Sequence, residues 1–130
     1  MIVLDSSAII AIIIEENDAQ EFLQVVSSGD CIVSAASVLE CTLVATRLGG
    51  RGLEALIDVF ILENGIVTID VDTLQLKAAR VAFRLYGKGQ GHPAKLNFGD
   101  CFPYALAKTR DMPLLFKGDD FSQTDIISAL

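Results

Sequence analysis

Five carboxylates stand apart in this 130-residue chain: Asp5, Glu40, Asp100 and the adjacent pair Asp119 and Asp120. Asp5 follows the apolar run Ile2-Val3-Leu4, and Asp100 lies among Phe98, Cys101 and Phe102. Carboxylates in apolar surroundings are rarely buried without a partner. Few basic residues neighbour these acids in sequence. A divalent cation is the economical partner, and Mg²⁺ or Mn²⁺ prefers carboxylate and water oxygens. Acids gathered round such an ion can activate water and stabilise an in-line displacement at phosphorus. Each acid also has a purely structural use. Asp5 or Asp100 can cap a helix. Ser37 and Glu40 fit the S-x-x-E capping box, and one of Asp119 and Asp120 can serve a turn. Glu15, Glu16, Asp18 and Glu21, by contrast, read as a solvated helix face.

A second group is basic. Lys77, Arg80, Arg84 and Lys88 are three, four and four residues apart, a spacing that lines one face of a helix. Val81, Ala82 and Leu85 lie between them and are free to face the core. With Lys95 and His92 in the following loop, this is a candidate surface for a phosphate backbone. A solvated face, or one that docks an acidic protein, would look the same. His92 reads as an incidental loop histidine, with general acid as the alternative. The stretch Gly87-Lys88-Gly89-Gln90-Gly91 is no phosphate loop, because G-x-x-x-x-G-K-[ST] is absent.

Charge over the whole chain hides this division. Seventeen Asp+Glu against ten Lys+Arg give a net charge of −7, which argues against a non-specific nucleic-acid coat. Residues 1–72 hold twelve acids and two bases, whereas residues 73–99 hold five bases and no acid. An acidic site beside a basic patch follows from that segregation. Hydrophobic residues make up 52%, too many for a disordered chain. The most apolar stretch, Ala8–Ile14, is far shorter than the roughly 20 residues of a membrane span. It lacks the basic flank and cleavage site of a signal peptide, so a cytoplasmic protein without membrane attachment is expected. Cys31, Cys41 and Cys101 are odd in number and widely spaced, so they read as core residues, not as a zinc site or disulfide framework.

Strands must hold these groups in place. Apolar runs at Ile2–Leu4, Cys31–Val33, Ile66–Ile69 and Leu114–Phe116 read as buried strands, with a short fifth around Ile126-Ile127. Between them lie helical patterns: Ala8–Ile14 capped by Ser6 or Ser7 (its Ile run leaves strand as an alternative), Asn17 or Asp18 to Ser28, and Ser34 or Ser37 to Leu48. Further patterns span Leu53 to Phe60, Thr73 to Tyr86, and Gly99 or Asp100 to Arg110. Alternation with short connections predicts one α/β domain over residues 1–130. It would be a three-layer α/β/α sandwich on a mostly parallel sheet of four to five strands. Ligands in such folds collect beyond the carboxyl ends of the strands, where the first and fourth strands end in acid.

The same residues carry a family resemblance. MIVLDSSAI, SAASVLECTLV, YGKGQGHPAKLNFGDCFPYALAK and LLFKGDDFSQTDI resemble, in order, the motifs of PIN-domain ribonuclease toxins of the VapC type. That resemblance implies a PIN-like fold and a metal-dependent endoribonuclease using Mg²⁺ or Mn²⁺. It implies Asp5 and Asp100 as metal ligands, with Glu40 and the acid of the Gly-Asp-Asp-Phe turn completing the site. Asp120 is favoured over Asp119 for that last place. Ser6 and Asn97 fall at supporting positions. A cognate antitoxin and a homodimer are also implied. Pro103 is tolerable because it falls in the first turn of the last helix; it stands where the family commonly has Ala, so a distorted turn after Asp100 is the alternative. Gly49-Gly50-Arg51-Gly52 is an unusually flexible link.

The expected reaction is hydrolysis of an RNA phosphodiester. Asp5 and Asp100 would hold one cation, while Glu40 and Asp120 position a second cation or the attacking water. Arg80, Arg84, Lys88 and Lys95 would guide the strand. Two rivals remain: a non-catalytic interaction module of the same fold, and a phosphatase-like domain acting on small molecules. The second lacks a D-x-D after the first strand, where Asp5 is followed by Ser6-Ser7.

Overall fold

Four short strands, β1 (Ile2–Leu4), β2 (Cys31–Ser34), β3 (Val67–Ile69) and β4 (Leu114–Leu115), form one parallel sheet in the order β3-β2-β1-β4. The coordinates are a computed structural model describing residues 1–130. Six helices connect the strands: α1 (Ser6–Ile13), α2 (Ala19–Ser27), α3 (Ala35–Leu48), α4 (Arg51–Glu63), α5 (Thr73–Tyr86) and α6 (Cys101–Arg110). Strand order reverses at β1, with β2 and β3 to one side and β4 to the other. That reversal opens a crevice at the carboxyl end of β1, and Asp5 is the first residue past it.

Strand alternation sorts the core into two layers. Leu4, Val33 and Leu115 face one side and pack with Ile9, Phe22, Cys41, Ile57 and Phe60 from α1–α4. Val3, Ile32 and Leu114 face the other and pack with Ala82, Tyr104 and Leu106 from α5 and α6. The expected α/β sandwich is therefore present, with four strands. The fifth is not: near Ile126-Ile127 only a single bridge, Leu114 to Ser128, reaches the sheet. Phe116 also leaves the sheet and packs on Phe121, ring centres 5.3 Å apart.

Several local expectations are corrected. The Ile-rich run 8–14 is helical as expected and not a strand: α1 buries Ala8, Ile9, Ile10 and Ala11 and ends at Ile13. Its cap is Asp5, not Ser6 or Ser7. Helix α3 starts directly at the end of β2, capped by the Ser34 hydroxyl, which accepts from the Ala36 N–H. Ser37 thus lies inside the helix, and no Ser37–Glu40 capping box forms. Helix α5 ends at Tyr86, so Lys88 is not on the helix with Lys77, Arg80 and Arg84. Of its apolar residues only Ala82 is buried, while Val81 and Leu85 are exposed. Pro103 falls in the first turn of α6, where no backbone donor is needed, and the turn is intact. Cys31, Cys41 and Cys101 are buried free thiols, as expected.

Candidate active site

The crevice at the end of β1 is a cavity of about 380 Å³ lined by Asp5, Ser6, Ser7, Glu16, Glu40, Asn97, Asp100, Lys117 and Asp120, among others. Four distant segments therefore bring four of the five singled-out acids together. Asp119 is not among the lining residues. It sits on the solvent side of the turn, where its carbonyl accepts from the Ser122 hydroxyl. The favoured Asp120 is the acid that faces the pocket.

Asp5 is 4% exposed, and its two oxygens have different fates. Oδ2 accepts from the Ser7 N–H at 3.1 Å and from the Ser7 hydroxyl, which starts α1. Oδ1 is buried without any partner. A buried carboxylate oxygen left unpaired is costly, so an unpaired one on a residue that lines the pocket is informative. Burial pushes the Asp5 carboxyl up to about 6, and the charge of Glu40 adds to the shift. Asp100 is likewise raised to about 6 by burial, then by the charges of Asp5, Asp120 and Glu40. Asp100 thus sits in the field of the other three acids, and Asp5 in that of Glu40.

The supporting groups fix orientation. Ser6 donates its hydroxyl proton to Glu40 Oε1. Asn97 and Asp100 are paired reciprocally: the Asn97 N–H donates to Asp100 Oδ2, and the Asp100 N–H to Asn97 Oδ1, both at 2.9 Å. Asp100 stands at the N-terminus of α6, yet its side chain makes no cap bond. Glu40 and Asp100 are therefore both released from the structural uses that sequence patterns offered them.

Four contributors were not singled out in the sequence. Gly99 lies against the Glu40 carboxylate so closely that a Cβ there would collide with Oε2. Ser7 links Asp5 to the Lys117 N–H, which donates to its hydroxyl at 2.9 Å. Lys117 is the one basic side chain lining the cavity, and it pairs with Glu16 and Asp18 instead of with the four acids. Glu16 is thus a pocket residue, not merely part of a solvated face. None of these roles has a local sequence signal, because each depends on segments brought together from far along the chain.

The basic residues lie outside this pocket and form two groups. Arg80 and Arg84 border an apolar cleft between α5 and the start of α6. Lys88 and Lys95, with His92, line a separate loop surface. The His92 Nδ1 accepts from the Ala94 N–H at 3.0 Å, a loop-stabilising role in keeping with the sequence reading.

No three acidic, His or Cys side chains close into a metal cage. The donors nonetheless suit a hard divalent cation, which accepts few protein carboxylates and keeps several waters. The unpartnered Asp5 Oδ1 is the atom that most needs one.

Comparison with known proteins fits this geometry. Residues 2–127 match the PIN domain. Ribonuclease VapC28 of Mycobacterium tuberculosis is 43% identical over 129 residues, spanning 98% of this chain and 97% of its own. The chain belongs to the PIN-domain family, in its VapC branch. Among solved structures, Mycobacterium tuberculosis VapC20, described as a toxin cleaving the sarcin-ricin loop, superposes with a TM-score of 0.78. It is 14% identical, with 98% of this chain and 97% of that one covered. A toxin–antitoxin complex from Klebsiella pneumoniae gives 0.73 at 14% identity, covering 100% and 98%. These likenesses establish the PIN fold. No helix of this VapC-family chain is long and apolar enough to cross a membrane.

Proposed function

We propose that this VapC-family protein is a divalent-cation-dependent endoribonuclease, acting as one domain over residues 1–130. The observation that carries the proposal is the buried, unpartnered Asp5 Oδ1 at the switch point of the sheet, in a pocket shared with Glu40, Asp100 and Asp120. Relatives named as ribonucleases at 43% identity support RNA as substrate over a small phosphoester. Asp5 and Asp100 would hold Mg²⁺ or Mn²⁺. When bound, such an ion neutralises charge developing on the phosphate and acidifies water.

The protein's own residues do the rest. Ser7 fixes the Asp5 rotamer by two bonds to Oδ2, leaving Oδ1 without a protein partner. Asn97 fixes Asp100 in the same way. Ser6 holds Glu40 by Oε1, which would leave Oε2 to orient the attacking water and take its proton, with Asp120 in the same pocket. Arg80, Arg84, Lys88 and Lys95, all outside the acidic cavity, would attract the strand by counterion release. A cognate antitoxin and a homodimer, as in toxin–antitoxin systems, and a cytoplasmic location complete the reading.

The test is cleavage of total RNA by wild type and Asp100→Asn, with Mg²⁺, Mn²⁺ or EDTA. Cleavage only by wild type and only with a divalent ion is expected. Cleavage that persists in EDTA, or in folded Asp100→Asn, overturns the proposal.

A further inference from the structure

The Arg80–Arg84 surface is not simply a charged helix face. It edges a cleft of about 510 Å³ whose walls are Leu76, Phe83, Phe98 and Phe102. Phe98 is 80% exposed, the most exposed aromatic ring in the protein, and meets Phe102 edge to face at 5.0 Å. Phe98 thus presents most of its ring to solvent beside two cations. The chain path supplies a second observation. Phe98 lies between Asn97 and Asp100, which line the acidic pocket. Its Cα therefore lies within about 7 Å of the Asp100 Cα by chain reach alone.

Resting on the ribonuclease reading, we propose that this cleft is a nucleobase subsite. It would take the unpaired base next to the scissile phosphate, stacked on Phe98. The chemistry matches on two counts. A base offers a π-face to Phe98 and to the guanidinium planes of Arg80 and Arg84. The phosphate attached to that base is anionic, and the cleft is bordered by two cations and no acid. The cleft walls offer apolar and guanidinium groups with no buried hydrogen-bond code, so stacking would be sequence-tolerant. Specificity would then favour single-stranded or unstacked RNA over duplex, since a base within a duplex cannot reach the ring.

Composition makes the test clean. The protein contains no Trp, so Phe98→Trp places a single, selectively excited Trp in the cleft at an exposed position that does not disturb the core. In the inactive Asp5→Asn background, a single-stranded RNA oligonucleotide is expected to quench that Trp. The same oligonucleotide made abasic should bind through its phosphates and leave the emission unchanged. In the otherwise wild-type chain, Phe98→Leu is expected to lower kcat/KM about 5- to 150-fold, the range for losing one stacked base. Phe98→Tyr should retain activity. Equal quenching by the abasic strand overturns the subsite. So does an emission shift that depends on protein concentration without RNA, which would assign the cleft to a second copy of the chain. Full activity in Phe98→Leu does the same, since Leu suits a protein interface but cannot stack. The two readings fail separately. A wild type that cleaves RNA but shows no quenching loses only the subsite. A chain that cleaves nothing yet is quenched by the base-bearing strand loses only the nuclease.

Discussion

Removing the charge of Asp5 should destroy activity and stabilise the fold. In the folded protein its carboxyl is raised from 3.8 to about 6. An acid whose pKa is raised by folding contributes stability below its unfolded pKa and loses it as pH climbs through the folded value. Above about pH 6 the metal-free protein therefore carries a penalty for ionised Asp5, up to about 3 kcal/mol at about 1.4 kcal/mol per pKa unit. Asn is nearly isosteric. Its carbonyl oxygen still accepts from the Ser7 N–H and hydroxyl. With EDTA near pH 7.5, Asp5→Asn should gain about 1–3 kcal/mol once local relaxation is allowed. At about 4 °C per kcal/mol for a chain of this size, that raises Tm by about 4–12 °C. Thermal melts followed by circular dichroism read the difference directly. The gap should shrink steadily toward about pH 4, where wild-type Asp5 is itself protonated. A Tm below wild type at both pH values would refute the reasoning, because Asp5 would then be a helix cap and nothing more.

Three further outcomes follow from the same geometry. Gly99→Ala should displace Glu40, whose carboxylate occupies the space of the new Cβ; because that carboxylate is a mobile end, cleavage should fall at least about tenfold while stability changes by less than about 1 kcal/mol. Stabilisation by saturating Mn²⁺ should be larger near pH 7.5 than near pH 5, since Asp5 and Asp100 keep their protons up to about 6 and must release them to bind; equal Tm shifts at both pH values would contradict the assignment. Lys117→Met should lower Tm by no more than about 4 °C, because its ion pairs with Glu16 and Asp18 are partly exposed and such pairs contribute about 0–1 kcal/mol.

Which parts were readable in the sequence depended on how local their cause was. Asp5 could be read because three apolar residues before it demanded a buried strand, and burial made the acid conspicuous. The order of helices and strands was equally local. Glu40 was recognised, but its competing use was misplaced by one turn. The S-x-x-E pattern pointed to Ser37 as a cap, whereas β2 runs straight into α3 and the cap falls on Ser34. Lys88 was placed on the helix by spacing alone, although Gly87 ends α5. Val81 and Leu85 looked like core because they are apolar, yet α5 buries only the narrow face around Ala82. Gly99, Ser7 and Lys117 were beyond local reading. Their importance exists only where residues 5–7, 40, 97–100 and 117–120 meet.

That meeting has a consequence for synthesis of the chain. The Asp5 N–H donates to the Leu115 carbonyl at 2.9 Å, and the Lys117 N–H to the Ser7 hydroxyl. Each contact closes a loop of 110 residues, the kind of long-range closure that slows folding and comes late. A nascent chain emerging from the ribosome would hold Asp5 and Glu40 well before Asp100, Asp120 and the β4 partner of β1 arrive. Partial chains therefore lack both the fourth acid and the register that presents the first. The pocket of an enzyme directed at RNA is therefore complete only once residues 114–120 have emerged and docked beside β1.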